Sequence, residues 1–399
     1  MTKTKNLYAR RYDLDWLRVL AIILVLYFHV GMFFTSWEWH VKNTETSRLI
    51  DCILAFLHQW RMPLLLFISG AGTVFASARR NKKQFMAERH KKLLIPLIFS
   101  MFVIVPPQIY IEKINEFASY LVFYKTVFEL IPYPMGSFSW HHMWFVLYLL
   151  LYSVLAVPLI WYLKSENSNR FLSKIEKYFS HKWGFISFVL PMILSQVILR
   201  PFFPEETHAL IDDWAYFVFY FAFFLGGIVV ASSDKLWAIL KEQRRFHLGI
   251  GLATLVLLEF FMLVPWQSLQ PYFKIDVDII WQLNKIVLAW SWVIAVVGYG
   301  QKYLNKNHPW LQRLNEGIYP FYILHQTVIV VLAYPMVNWQ AGIAMKFLVL
   351  STISLLVTVG IYWIFVRPFN FMRLLFGMKM KNSVKTVHQQ KQVSNLINI

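Results

Sequence analysis

The stretch LDWLRVLAIILVLYFH, from Leu14 to His29, places a carboxylate, a guanidinium and an imidazole on one apolar helix. Arg18 and His29 are separated by a helical rise of ~16 Å and by three turns plus ~20°, so the two side chains share a face. Asp15 lies within about 60° of Arg18 on the same stripe. Ionisable groups inside a bilayer are costly unless they line a cavity or find a partner. The stripe is therefore typical of a functional site, or of an interfacial ion pair followed by a core histidine bonded to a neighbouring helix.

The composition of the whole chain indicates a membrane protein. Its 399 residues are 58% hydrophobic and only 15% charged, whereas soluble domains carry about 25% charged residues. Apolar runs of about 18 or more residues recur along the sequence. They predict an all-α, polytopic membrane protein with about ten transmembrane helices around a central cavity. The predicted spans are 17–36, 50–76, 93–111, 141–163, 183–200, 212–231, 246–265, 281–300, 317–335 and 343–366.

Positive charge is distributed unevenly between the loops. The formal net charge is +18, and 30 of the 39 Lys and Arg residues lie in the N-terminal tail, in alternate loops and in the C-terminal segment from Arg367. The remaining loops hold six and the spans hold three. Because cytoplasmic loops carry the excess of Lys and Arg, both termini are predicted to be cytoplasmic. The net charge follows from this topology, and no nucleic acid partner is predicted.

Residues 1–378 are predicted to form one membrane domain, followed by a disordered cytoplasmic tail at 379–399. The single cysteine, Cys52, excludes an internal disulfide and any multi-cysteine metal site. The sequence contains no phosphate-binding GxxxxGKS/T, GxSxG or HExxH motif, and no metal site is predicted. His208 and Asp213 fit an HxxxxD pattern, but with twelve histidines in the chain such a match arises by chance.

The second predicted span carries two ionisable residues at its centre, in the sequence HQWRMP from His58 to Pro63. An arginine at that depth, Arg61, must face protein, water or an anion. Pro63 and the glycines that follow indicate an irregular helix, which is tolerated beside a protein-lined cavity. Two interpretations stay open. The span holds a site for an anion, or it is a kinked packing helix with a buried ion pair.

Further polar residues lie in or beside the later spans. His325 is near the middle of the ninth span, and Glu259 lies about two-thirds of the way across the seventh. His142 and Trp144 open the fourth span, where they fit either a binding site or an interfacial aromatic belt. The basic loop 77–92 is a candidate binding site for a polyanion. A cytoplasmic location or contact with lipid headgroups would also explain its positive charge.

These elements together resemble the acyltransferase-3 family of bacterial inner-membrane proteins. The shared elements, in order along most of the chain, are Leu14-Asp15 with Arg18 and His29, Arg61-Met-Pro with Ser69-Gly70, Arg89-x-x-Lys92, His142-Met-Trp-Phe, and Tyr319-Pro-x-Tyr-x-Leu-His325. Within the family, His58 with Arg61-Met is most similar to the branch that includes the succinyltransferase of osmoregulated periplasmic glucans. The family's RxxR motif stands here as Arg89-x-x-Lys92, and a lysine lacks the bidentate fork of an arginine.

The resemblance implies a multi-pass O-acyltransferase of the bacterial cytoplasmic (inner) membrane. It would move an acyl group, acetyl or succinyl, from cytosolic acyl-CoA to a hydroxyl of an extracytoplasmic glycan or glycolipid. Acyl-CoA is then a donor substrate, and no permanently bound cofactor is expected. The alternative function is a transporter or exporter of glycan precursors, although the sequence shows no internal repeat of the kind that transporters carry. Neither the identity of the acceptor nor the oligomeric state follows from the sequence.

The predicted site residues divide into three groups by role. The residues expected to bind the anionic end of acyl-CoA are Arg18, Asp15, Arg89 and Lys92. The residues expected to take part in the chemistry are His29, Arg61, His58 and His325. The residues expected to contact the acceptor are His142, Trp144 and Glu259. His29 would act as a general base or as an acyl-accepting nucleophile, and Arg61 would stabilise the oxyanion.

Overall fold

The computed structural model describes residues 10–264, 270–272 and 276–381. Nearly all of the regular structure in these residues is helical. The longer helices, numbered in chain order, are α1 (Tyr12–Met32), α2 (Arg48–Ser77), α3 (Lys82–Glu112), α4 (Tyr120–Thr126), α5 (His141–Leu155), α6 (Val157–Lys164), α7 (Asn169–Phe179), α8 (Ile186–Leu199), α9 (Trp214–Ala231), α10 (Asp234–Leu263), α11 (Val277–Tyr303), α12 (Pro309–Met336), α13 (Ile343–Val366) and α14 (Asn370–Leu375). The predicted tail lies outside the described residues from residue 382 onward, so its disorder stays a prediction.

Within the described ranges, eight of these helices are long and apolar enough to cross a membrane. Helices α5 and α6 are bent by 49° relative to each other, and they make a ninth span if counted as one. Helix α8 is apolar but shorter. The predicted all-α, multi-pass architecture is therefore confirmed. The count of about ten spans and the cytoplasmic placement of both termini stay predictions.

Helix α1 ends at Met32, whereas the apolar run predicted a span that continued to residue 36. Much of the apolar sequence that follows is buried in a loop, 33–47, instead of extending the helix. Asp51 at the start of α2 accepts hydrogen bonds from the Ser36 backbone N–H at 2.9 Å and from its hydroxyl at 3.0 Å, which holds this turn. Consequently, His29 lies in the last turn of α1.

The first three helices run in alternate directions and define the two ends of the bundle. Helix α1 begins and α2 ends at the basic end, where residues 10–15 lie beside residues 78–80. Helices α1 and α3 both end at the opposite end, which we call the far end, where His40 contacts Glu112. A side chain near the start of α1 therefore lies toward the basic end, and one in its last turn lies toward the far end.

Helix α3 contains two wide turns, which are π-helical at His90–Leu94 and at Ser100–Ile104. Each wide turn is followed within two residues by a proline, Pro96 or Pro106. Proline lacks the N–H of a regular helical bond, and a local change of helical pitch accommodates it. The helix thus continues through both prolines as one candidate span and carries its last residue to the far end.

Helices α2 and α9 pack against each other through a glycine on each side. A Cβ on Gly70 would lie 2.0 Å from the carbonyl oxygen of Phe224. A Cβ on Gly227 would likewise lie 2.0 Å from the carbonyl oxygen of Phe67. Glycines at both positions let the two backbones approach closely, as small residues do between membrane helices. This contact fixes the position of α2, the helix that carries Arg61.

We expect Gly70→Ala to destabilise the fold, because the added methyl group would overlap a backbone carbonyl that belongs to a packed helix. Overpacking of this kind typically costs about 1–3 kcal/mol. The midpoint of thermal unfolding in detergent micelles measures the effect. Gly249→Ala is the matched control, since it adds the same methyl group on α10 where no atom lies within 4 Å. Equal unfolding midpoints for the two variants would contradict the packing between α2 and α9.

Candidate active site

Three histidines from three different helices meet toward the far end of the bundle, and we call them the histidine cluster. The rings of His29 on α1 and His325 on α12 have centroids 5.2 Å apart. The ring of His142 on α5 lies 5.6 Å from that of His325. His325 and His142 are buried, whereas His29 is partly accessible. The structure thus brings His142, predicted to contact the acceptor, beside His29 and His325, both predicted to take part in the chemistry.

Two ring nitrogens of the histidine cluster, Nδ1 of His29 and Nε2 of His325, are buried and have no hydrogen-bond partner among the described residues. Nδ1 of His325 lies 2.5 Å from the carbonyl oxygen of Tyr322, so this nitrogen carries the proton and donates it. Nε2 of the neutral ring is then an unprotonated acceptor. An imidazole with a free lone pair can accept a proton, which is what a general base requires.

Both ring nitrogens of His142 are already occupied. Its Nε2 donates to the carbonyl oxygen of Ile323 at 2.9 Å, and its Nδ1 lies 3.3 Å from the side-chain amide nitrogen of Gln108. The Tyr322 hydroxyl donates to the His142 carbonyl. These bonds join α5 to α12 and fix the ring beside His325. The predicted contact between His142 and an acceptor would have to replace one of these bonds.

Arg61 lies beside the histidine cluster as a buried cation. Its guanidinium carbon is 3.2 Å from the centre of the Phe28 ring. Its Nε and Nη1 atoms are buried and find no hydrogen-bond partner in the part of the chain that the structure describes. Its charge acts on both His29 and His325. Such a guanidinium is suited to binding an anion, because a desolvated charge gains most from a charged hydrogen-bond partner.

Glu206 lies near Arg61 and contacts several other polar side chains. Its carboxylate lies 3.0 Å from Nε2 of His58, accepts a hydrogen bond from the Tyr220 hydroxyl at 2.7 Å, and lies 3.4 Å from His208. Burial by itself favours the protonated form, but His58, His208 and Tyr220 hold the pKa of the Glu206 carboxyl well below its ordinary value. The predicted residue His58 is therefore fixed by an ionised carboxylate from a distant loop.

The HxxxxD pair has a structural role in this region. Asp213 accepts a hydrogen bond from the His208 backbone N–H at 2.8 Å and caps α9 by accepting from the Tyr216 N–H at 3.3 Å. Trp144 packs on the His208 ring, with centroids 3.9 Å apart and an interplanar angle of 20°. The loop that carries Glu206 is thus held at one side by a helix cap and at the other by an aromatic stack.

A pocket of ≈ 430 Å³ opens at the basic end, around the start of α1. Arg18 and Asp15, two of the residues predicted to bind the donor, line it, with Nη1 of Arg18 3.3 Å from Oδ1 of Asp15. The full lining is Arg10, Arg11, Leu14, Asp15, Arg18, Gly72, Phe75, Ala78, Arg79 and Arg80. Five arginines around one pocket make a strongly positive site, which suits a polyanion such as a group of phosphates.

The other two predicted donor-binding residues lie beside this pocket and not in its wall. Arg89 donates to the hydroxyl of Thr73 at 3.0 Å. Lys92 pairs with Glu88 at 2.9 Å, and the same carboxylate pairs with Arg80 at 2.5 Å. One acidic side chain thus links the predicted Lys92 to an arginine of the pocket wall.

Glu259, predicted to contact the acceptor, is placed elsewhere. It lies near Cys52 of α2. No contact described in the structure joins it to His142 or to Trp144. Its proposed part in acceptor binding therefore receives no geometric support.

The chain also matches a known protein family. The family described as "Acyltransferase domain" matches residues 11–367. The chain belongs to this acyltransferase family. The predicted resemblance to the acyltransferase-3 family is thereby confirmed, and the chain is a multi-pass membrane member of that family.

Several curated relatives of this chain share one name. Glucans biosynthesis protein C of Escherichia coli (strain SMS-3-5 / SECEC) and that of Shigella dysenteriae serotype 1 are each 26% identical to it over 246 residues, or 59% of this chain and 62% of the relative. The protein of the same name from Escherichia coli O1:K1 / APEC is 27% identical over the same shares. The chain thus spans less than two thirds of the length of these relatives. No solved structure matches it.

Sequence reasoning missed several residues that the fold brings to the site. Gln326 donates to the Gln108 side-chain oxygen at 3.0 Å, and its amide nitrogen lies 3.2 Å from Nε2 of His40. Both glutamines fall inside predicted spans, so an amide in an apolar helix was the available signal. His40 and Glu206 lie in loops, where no periodicity marks them.

Proposed function

We propose that this acyltransferase moves an acyl group from acyl-CoA, bound at the basic end, to a hydroxyl of a glycan or glycolipid that enters from the far end. One observation carries the proposal, which is the placement of two sites on a single helix. The arginine-lined pocket surrounds the start of α1, and the histidine cluster lies at its last turn beside Arg61. Arg18 and His29 are ~16 Å apart along the helix axis, about the length of the pantetheine arm of CoA.

The phosphates of CoA would lie among the arginines of the pocket. Guanidinium groups bind phosphate through charge-assisted, often bidentate hydrogen bonds. Asp15 pairs with Arg10 at 2.9 Å and with Arg18 at 3.3 Å, so it holds both guanidinium groups at the pocket wall. Arg89 and Lys92 would add positive charge beside the phosphates.

We expect Arg18→Ala to weaken acyl-CoA binding by about 10- to 150-fold, because a charge-assisted hydrogen bond contributes about 1.5–3 kcal/mol. Calorimetric titration of the purified protein with a non-hydrolysable acyl-CoA analogue measures the affinity. Arg313→Ala is the matched control, since Arg313 is an exposed arginine at the start of α12 outside the pocket. An unchanged affinity in Arg18→Ala would remove Arg18 from the donor site.

In the transfer step, the acceptor hydroxyl gives its proton to a ring nitrogen of His29, and its oxygen attacks the thioester carbon. The carbonyl oxygen becomes an oxyanion, which the unpaired N–H groups of Arg61 stabilise. The carbon–sulfur bond then breaks, and the proton passes from His29 to the CoA thiolate. The products are an ester and free CoA. In the other possible order, His29 first accepts the acyl group as a nucleophile and then passes it to the hydroxyl.

His325 and His58 would support these two groups. His325 presents a buried acceptor nitrogen beside His29 and is suited to share the proton that His29 takes. His58 packs on the Phe28 ring, with centroids 6.1 Å apart, and Arg61 covers the same ring. Because Glu206 fixes His58, the orientation of Arg61 would depend on this group.

The name of the curated relatives supports a glucan as the acceptor. The excess of Lys and Arg in alternate loops supports a cytoplasmic position for the basic end. The donor would then be drawn from the cytosol and the acyl group delivered across the bacterial cytoplasmic membrane. Acetyl and succinyl groups both fit this proposal.

Purified full-length protein in lipid nanodiscs tests the proposed function. With acetyl-CoA or succinyl-CoA and a glucan oligosaccharide, we expect release of CoA thiol and one added acyl mass on the sugar. A permethylated oligosaccharide, which has no free hydroxyl, is the control and should remain unmodified. The transporter alternative predicts movement of glycan without release of CoA. Failure of both thiol release and acyl-CoA binding would exclude the proposed donor.

A further inference from the structure

Three metal-binding side chains from three separate segments meet at the far end, outside the histidine cluster. His40 lies in the loop 33–47, Glu112 is the last residue of α3, and His141 begins α5. One ligand atom from each residue lies within 4.8 Å of the other two. Nδ1 of His40 is 2.7 Å from a carboxylate oxygen of Glu112, and the rings of His40 and His141 have centroids 5.0 Å apart at an interplanar angle of 15°.

One ring nitrogen of His141 makes a hydrogen bond, and the other is available to bind an ion. Its Nδ1 lies 2.6 Å from the Ser139 hydroxyl. Its Nε2 is buried and has no hydrogen-bond partner in the described part of the chain. Metal-binding histidines typically engage one ring nitrogen in a hydrogen bond, which fixes the ring while the other nitrogen binds the ion. The contacts of His141 follow this pattern.

We propose that His40, Glu112 and His141 bind a zinc ion. Two imidazoles and one carboxylate are a ligand set that zinc accepts, with bond lengths of about 2.0–2.2 Å and a fourth, open position. Bonds of that length in a tetrahedron place ligand atoms about 3.4 Å apart. The His40–Glu112 pair, at 2.7 Å, would therefore open by about 0.7 Å, and the other ligand atoms would close by at most about 1.4 Å, movements that rotation of side chains supplies.

Zinc would replace the proton that lies between His40 and Glu112. Metal ligands must be deprotonated, so this proton would move from Nδ1 to Nε2 of the His40 ring, and Nδ1 and the Glu112 carboxylate would bind the ion. Nε2 of His40 then carries the ring proton and faces Gln326. Rotation of the Gln326 side-chain amide by 180° would place its oxygen, an acceptor, where its nitrogen now faces Nε2 of His40.

The position of the site determines what the ion would do. The Trp39 ring lies between the two centres, 5.6 Å from His40 and 6.5 Å from His29. The ion is therefore separated from the reacting atoms by an aromatic ring. It would act by joining the loop 33–47 to the ends of α3 and α5, and so by setting the width of the far end beside the histidine cluster.

Zinc binding is tested on the full-length protein, purified through a tag that contains no histidine and stripped with a chelator. We expect one zinc per chain by elemental analysis after titration and desalting, and a rise in the thermal unfolding midpoint that saturates at one equivalent. Cobalt(II), used as a spectroscopic probe, is expected to give the intense visible absorption of a four-coordinate site. These measurements on the unaltered protein need no activity assay.

Two variants locate the site. Glu112→Gln keeps the size of the side chain and removes the anionic ligand, and His141→Ala removes the free imidazole nitrogen. Both are expected to lose the bound zinc and the zinc-dependent rise in the unfolding midpoint. His181→Ala, which removes an exposed histidine in the loop after α7, is the control and should bind zinc like the unaltered protein.

If His40, Glu112 and His141 form only a hydrogen-bonded cluster, no zinc binding is expected. If the unaltered protein binds no zinc, or if Glu112→Gln binds as much as the unaltered protein, the proposal is overturned. The result is independent of the proposed function, because acyl-CoA binding at the basic end is measured separately. If the unaltered protein neither transfers an acyl group nor binds zinc, the missing transfer would be explained by the donor site or the histidine cluster.

Discussion

Replacement of His29 by glutamine is expected to lower acyl transfer by about 10³- to 10⁴-fold, because proton transfer by a positioned base contributes up to about that factor. Glutamine approximates the size of the imidazole but cannot take up the proton of the acceptor hydroxyl. The variant should still fold and bind acyl-CoA, since the donor pocket lies at the other end of α1. Initial rates of CoA release, together with acyl-CoA affinity, separate these effects.

A histidine outside the histidine cluster provides the control for this experiment. His247 on α10 is fully buried, makes no hydrogen bond through either ring nitrogen to the described residues, and packs against Phe185 and Phe246. His247→Gln should retain transfer at close to the original rate. Substantial transfer by His29→Gln, at a rate similar to that of His247→Gln, would remove His29 from the chemistry.

The same protein distinguishes the two orders of transfer. Incubated with acyl-CoA in the absence of an acceptor, a nucleophilic His29 is expected to retain the acyl group, and the intact mass would rise by one acyl unit. A general base leaves the mass unchanged and releases no CoA without an acceptor. If the acyl unit is found, its absence from His29→Gln would assign it to this residue.

Arg61→Met is expected to lower kcat by about 10²- to 10³-fold, the usual cost of removing one oxyanion donor. The same change should leave the unfolding midpoint equal or raise it, because methionine replaces a buried cation whose Nε and Nη1 have no hydrogen-bond partner among the described residues. A fall in activity combined with undiminished stability is characteristic of a group retained for chemistry. Transfer rates at saturating donor and thermal unfolding of the same sample measure both quantities.

Arg367→Met controls for the loss of a stacked arginine. Arg367 covers the Trp363 ring at 4.2 Å, as Arg61 covers Phe28, but it lies at the end of α13 away from the histidine cluster. Its replacement should leave transfer unchanged. If Arg61→Met retains full activity, or if its activity falls only in proportion to the folded fraction, the oxyanion role is wrong.

The sequence indicated the relation between Arg18 and His29 because both lie on one helix. A fixed rise and rotation per residue then set their separation and shared face. Arg61 could be found for a similar reason, since its place within an apolar run already implied burial. The end of α1 could not be found in this way, because the apolar residues after Met32 continue the pattern of a span. Hydrogen bonds that Ser36 donates to Asp51 instead turn the chain.

Hydropathy and charge distribution thus determined the membrane class, the all-α fold and the residues worth testing. Only the tertiary structure decided that His29, His142 and His325 share one location, that Glu206 holds His58, and that His141 stands beside Glu112. Local periodicity relates residues within one helix. Distances between helices and loops depend on packing contacts, such as the close approach at Gly70, that arise only when the whole chain is folded.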